Sequence, residues 1–197
     1  MRTEIIGNVG TVFYVDGFID EYDAYGEARD AIKDDCIKAL NALIKNYPKI
    51  LEIRTQDDKT LFHFAAEKSV KSLCFLIEKM PQGLLIKDAR GAFPAHYAPI
   101  GATLCNSLEG LELIEKYAPE TMTATNMYNE TPTSVAAHWA NRSRCEVFNY
   151  FAQKHPNTLH IKPSLSRETP FEAAKRKHID IPKQIDIPKQ IQGEKEL

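Results

Sequence analysis

No run of residues in this chain approaches the ~18 consecutive apolar positions that a membrane-spanning helix requires. The first residues lack a basic segment followed by an apolar stretch, so a secretory signal peptide is not expected. Nine glycines are dispersed, without GxGxxG or GxxxxGK, which leaves no loop of the kind that cradles phosphate. Four cysteines (Cys36, Cys74, Cys105, Cys145) form no CxxC pair, and the six histidines lack the paired spacing of a zinc site. No serine stands in a nucleophile elbow. The net charge of −2 provides no general basic field for a nucleic-acid backbone or an anionic membrane. Catalysis, a bound metal and a cofactor are therefore not expected.

What the chain does have is the composition of a globular domain, 43% hydrophobic and 26% charged, over 197 residues. Its charge is uneven. Residues 1–35 carry nine acidic and three basic side chains, which leaves the remainder at about +4.

One phrase occurs four times: Leu43-Ile44-Lys45-Asn46-Tyr47-Pro48, Leu76 to Pro81, Leu113 to Pro119, and Tyr150 to Pro156. The copies begin 33, 37 and 37 residues apart. Each reads as an amphipathic helix stopped by a proline that cannot continue it. A fixed period in the thirties implies stacked units, none able to bury its apolar face alone. Cys36, Cys74 and Cys145 fall among the apolar residues of these helices and read as buried, reduced thiols, whereas Cys105 falls in an irregular segment.

A second phrase follows each proline at twelve or thirteen residues: Thr60-Leu61-Phe62-His63-Phe64-Ala65-Ala66, Phe93-Pro94-Ala95-His96-Tyr97-Ala98, Thr131-Pro132-Thr133-Ser134-Val135-Ala136-Ala137, and Thr169-Pro170-Phe171-Glu172-Ala173-Ala174. Thr60, Thr131 and Thr169 suit a helix N-cap, and proline at the next position costs nothing because its missing N–H would be unpaired there anyway. Asp88-Ala89-Arg90-Gly91 and Asn126-Met127-Tyr128-Asn129 precede two of the copies as turns, the fourth position favouring positive φ. Asp58 and Arg167 hold that position in the first and last copies.

Together these features resemble the Thr-Pro-Leu-His-x-Ala-Ala signature and period of ankyrin repeats. The resemblance implies an all-α solenoid of stacked helix-turn-helix units over residues 21–178. It divides into a cap at 21–54, repeats at 55–87, 88–125 and 126–163, and a terminal half-repeat at 164–178. The two longer repeats place their extra residues between helices, around Gly101–Glu109 and Asn141–Arg144. It also implies that His63 and His96 are structural, tying neighbouring repeats together. Residues 1–20 read as a small β-hairpin around Gly7-Asn8, and 179–197 as a flexible tail in which Ile-Asp-Ile-Pro-Lys-Gln occurs twice in succession.

By the same resemblance, a concave groove formed by turn tips and first helices binds a protein partner. That register puts Lys59, Arg90, Ala92, Met127, Tyr128, Glu130, His138, Trp139, Leu165, Glu168, Arg176 and Lys177 on the groove. The partner-binding candidates are Lys59, Arg90, Met127, Tyr128, Glu130, His138, Trp139 and Arg176, because Trp, Tyr and Arg dominate binding hot spots. Trp139, the chain's single tryptophan, either anchors a partner or fills space under the lengthened segment that follows it. The expectation is a monomeric, cytoplasmic protein-recognition module that engages neither nucleic acid nor membrane. In style it resembles effectors that intracellular bacteria deliver into host cells, with an ordinary cytosolic adaptor as the other setting. The alternative class is a small enzyme or cation-binding protein using Asp16, Asp20, Glu21 and Asp23, although no Asp-x-Asp-x-Asp-Gly loop is present.

Overall fold

The computed structural model describes residues 20–181, together with the backbone of 4–6 and 12–14. Among the described residues the regular structure is all-helical apart from one pair of short strands, β1 (Glu4–Ile6) and β2 (Val12–Tyr14), which are antiparallel with Ile5 opposite Phe13. The Gly7-Asn8 turn, Asp16 and the tail beyond Ile181 lie outside the described residues.

Among the described residues nine α-helices alternate between two rows. The inner row comprises α1 (Glu21–Lys33), α3 (Leu61–Lys68), α5 (Pro94–Cys105), α7 (Pro132–Trp139) and α9 (Pro170–Arg176). Each inner helix packs on the next. Behind them lie α2 (Ile37–Asn46), α4 (Val70–Lys79), α6 (Glu109–Tyr117) and α8 (Glu146–Lys154), with α8 closing on both α5 and α7.

The outer helices bury one stripe in a shared phase. Counted back from the proline, Leu40 and Leu43, Leu73 and Leu76, Leu111 and Ile114, and Phe148 and Phe151 all point inward and are fully buried. The i, i+3 spacing keeps each pair on one helical face. It also corrects the register of the last two copies by one residue, because Ile114 and Phe151, rather than Leu113 and Tyr150, take the place of Leu43.

The prolines do more than stop helices. Tyr47, Met80, Ala118 and His155, which precede them, are displaced from the helical region to ψ of 68°, 78°, 56° and 54°. Each proline then opens a short 3-10 turn: Pro48–Leu51, Pro81–Leu85, Pro119–Met122 and Pro156–His160. These turns drive Ile50, Leu84, Met122 and Leu159 into the core.

Inner helices approach closely because small residues line their contacts, among them Ala28, Ala65, Ala98, Ala136 and Ala174. One close approach is at Gly101, where a Cβ would lie 2.5 Å from the carbonyl oxygen of Glu67. Gly101 lies inside α5, not in an inter-helix segment as its sequence register suggests, and Cys105 is the last residue of that helix. The extra length of this repeat is thus an added helical turn, with Pro99 tolerated within it. In the following repeat α7 keeps eight residues, and the addition is a tight loop closed by a bridge between Asn141 and Arg144. Of the four thiols only Cys36 is buried, and it stands at the N-cap position of α2, without a side-chain capping bond, instead of lying within the helix; Cys74 and Cys145 are half-buried.

Candidate functional site

Four of the inner helices, α3, α5, α7 and α9, share one device at their N-termini. The residue three positions past the N-cap accepts a hydrogen bond from the N-cap backbone N–H: His63 Nδ1 from Thr60 at 3.1 Å, His96 Nδ1 from Phe93 at 3.2 Å, Ser134 Oγ from Thr131 at 3.0 Å, and Glu172 Oε2 from Thr169 at 2.8 Å. This is the return half of a capping box, made with three kinds of acceptor, and Thr131 and Thr169 complete it by accepting from the N–H groups of Ser134 and Glu172. With Nδ1 accepting, the histidines carry their proton on Nε2. That group donates to the next unit, His63 to the Ala92 carbonyl at 3.2 Å and His96 to the Glu130 carbonyl at 3.1 Å. Burial disfavours the charged ring, which lowers His63 to about 4 despite the opposing pull of its bond to Ala92, and lowers His96 in the same direction. Serine and glutamate at this position bond only within their own unit.

The turns that precede the inner helices are linked in a ladder. Ala89 N–H donates to the Asp57 carbonyl at 2.9 Å, Met127 N–H to that of Arg90 at 2.9 Å, and Ser164 N–H to that of Tyr128 at 2.7 Å. Asp58, Gly91 and Asn129 hold positive φ as the turn requires, whereas Arg167 does not. Asp88 is the buried anchor of its turn, accepting from the N–H groups of Arg90 and Ala92 at 2.8 Å each and from Tyr97 Oη at 2.6 Å. Burial alone would raise the Asp88 pKa. The bonds from Tyr97, Ala92 and Arg90 outweigh it and leave the carboxylate below its usual range.

The candidate residues separate into two groups. Arg90 and Lys59 gather around Tyr97: Arg90 donates to the Tyr97 hydroxyl at 2.6 Å, and the Lys59 ammonium lies 4.6 Å from the ring centroid. Burial and the bond to Asp88 raise Tyr97. Tyr97 is the residue that sequence reasoning missed here, since the pattern offers no signal that its hydroxyl turns back nine positions to Asp88. Arg90 is exposed but engaged, and Ala92, assigned to the groove from its register, is 2% exposed and belongs to the core.

The second group meets in a concavity of about 520 Å³ between α7 and α9. Glu130, His138, Trp139 and Arg176 line it together with Val135, Pro163, Leu165, Glu168 and Lys177. Trp139 is 43% exposed, with its indole 6.1 Å edge-on from the His138 ring, and Leu165 is 78% exposed. Met127, 64% exposed, and the half-buried Tyr128 occupy the adjoining turn but do not line this space. On the opposite wall Arg176 grips Glu168 through Nη2 at 2.7 Å and Nε at 3.1 Å, which holds Glu168 below the usual carboxylate range. Lys177 caps α7: its ammonium donates to the carbonyls of Ala137 at 2.8 Å, His138 at 2.5 Å and Ala140 at 3.0 Å. Those carbonyls are the unpaired acceptors at the end of the helix, so Lys177 fixes the turn that presents His138 and Trp139.

At the acidic N-terminal end, Asp20 caps α1 by accepting from Asp23 N–H at 2.8 Å, and Glu21 pairs with Lys49 at 3.3 Å. Among the described residues no group of three or more His, Cys, Asp or Glu is placed to hold a metal ion. No helix among them is long and apolar enough to cross a membrane. No protein-family model matches the chain, and no curated protein matches it significantly.

Proposed function

We propose that the chain is an ankyrin-type repeat protein that recognises another protein through the concave side of its stack, centred on the space between α7 and α9. Support for the repeat assignment comes from the capping device repeated four times, the histidine ties between units, and the ladder of turn-to-turn hydrogen bonds. The observation that carries the function is the co-location of Trp139 and Leu165, two large apolar side chains left open to solvent, with the Arg176–Glu168 pair in one preformed concavity. An exposed aromatic anchor beside an arginine, on helices already held rigid, is the composition of an interface hot spot. In this reading the protein acts by binding, as a monomer, without catalysis or cofactor. Its setting is the cytoplasm, either as an adaptor or as an effector delivered into a host cell.

The test is capture of a partner from lysate by the intact chain, followed by affinity measurement with Trp139→Ala. We expect a tenfold or greater loss, equivalent to about 1.4 kcal/mol, with the helical circular dichroism unchanged. Unchanged affinity would remove Trp139 from the interface. A reporter of translocation fused to the chain separates the effector from the adaptor.

A further inference from the structure

The end of the stack carries a second feature, independent of the groove. After α9 the chain turns at His178, whose φ is 54°, and Ile179 N–H donates back to the Ala174 carbonyl at 3.0 Å. This is the same helix ending that α1 makes at Asp35 and Cys36, where Cys36 N–H donates to the Ala31 carbonyl at 2.8 Å and α2 follows. After α9 the stack has no further outer helix among the described residues, and Ile179 takes the inward position instead. It is 5% exposed, in a cluster with Phe148, Leu159 and Ala174, and Ile181 packs against the same cluster. Between them Asp180 faces a cavity of about 620 Å³ that it shares with Arg142, Cys145, Lys175 and His178. The seated segment therefore reads Ile-Asp-Ile, aliphatic side chains against the core and a carboxylate toward a basic rim. In the sequence Ile179-Asp180-Ile181-Pro182-Lys183-Gln184 is followed at once by an identical hexapeptide, Ile185-Asp186-Ile187-Pro188-Lys189-Gln190.

We propose that this terminal seat is a binding site for Ile-Asp-Ile segments, and that the two copies of the hexapeptide in one chain compete for it. The side chains that satisfy the seat are the same in both copies, so the contacts do not distinguish them. A tether of six residues keeps the second copy at high effective concentration. Exchange costs only the helix-end bond of Ile179 and the closure of a short loop, which grows slowly with length.

Cys145 provides a trap. In a Cys105→Ser background, Asp186→Cys is oxidised under mild conditions and the linked peptides are identified by mass spectrometry. We expect a Cys145–186 link within one chain, at several times higher yield when Ile179 and Ile181 are both changed to Ser. The thermal midpoint of that double variant should fall less than half as far as when Ile185 and Ile187 are changed to Ser as well. Absence of the link in both backgrounds, a link found only between two chains, or equal losses of midpoint in the two variants would each overturn the proposal. The trap in the otherwise intact chain requires no destabilising change, so misfolding of the serine variants does not decide the matter.

Discussion

His63 is the clearest case of a single side chain doing structural work that depends on its protonation state. Its ring must be neutral for Nδ1 to accept from Thr60 while Nε2 donates to Ala92. The folded pKa of about 4 lies below the ordinary 6.5. The unfolded chain therefore binds more protons between those values, and folding stability falls as pH drops through that window while being complete above it. The shift corresponds to something on the order of 3 kcal/mol. His63→Ser would retain the acceptor that Ser134 supplies in α7 but lose the tie to the next unit. We expect it to lose about 1–2 kcal/mol at pH 7 and to show a flatter stability profile between pH 6.5 and 4, as read from urea denaturation at several pH values. The identity of this residue was legible in the sequence because the phrase around it repeats. The role of Tyr97 was not, because the bond from its hydroxyl to the Asp88 carboxylate has no spacing signature.

Helix α7 depends on a cap that comes from the residue following α9. Lys177 places one ammonium against three carbonyls, and burial together with the Arg176 charge lowers its pKa. Lys177→Met keeps the aliphatic stem and deletes the donors. We expect amide hydrogen exchange to accelerate at Trp139 and Ala140 while α3 and α5 are unaffected, with a local cost of about 1–2 kcal/mol. Local rules located the starts and ends of elements well, since threonine, proline and the left-handed turn residues act over three or four positions. They placed the extra residues of the later repeat correctly, around Asn141–Arg144, but misjudged those of the earlier one. Gly101 and Pro99 look like breakers by composition, yet α5 runs through both, since Gly101 is required by the close passage of Glu67 rather than by a turn.

At the scale of the molecule, the described residues form two apolar clusters, one spanning α1 to α8 and a smaller one uniting α7, α8, α9 and Ile179 around Phe148. If the chain is the stack of units proposed above, its stability is a sum of neighbour terms, so damage to one end need not propagate to the other. Phe148→Ala should cost about 3–5 kcal/mol, concentrated in α7–α9. Exchange protection of α3 and α4 should persist where that of α9 is lost, and partner binding should fall with it. The alternation of helices, their starts and their stops at proline were readable from the repeated phrases. The grouping of Glu130, His138, Trp139 and Arg176 apart from Lys59 and Arg90 was not, since it depends on Tyr97 drawing the latter two toward itself.

The single indole of the chain has a practical corollary. With no other tryptophan present, emission excited at the red edge of the absorption band comes from the α7–α9 cleft alone. A ligand arriving there should shift or quench the whole signal, and one docking on the acidic cap should leave it nearly unchanged. The unlabelled protein is its own optical gauge of which end is occupied.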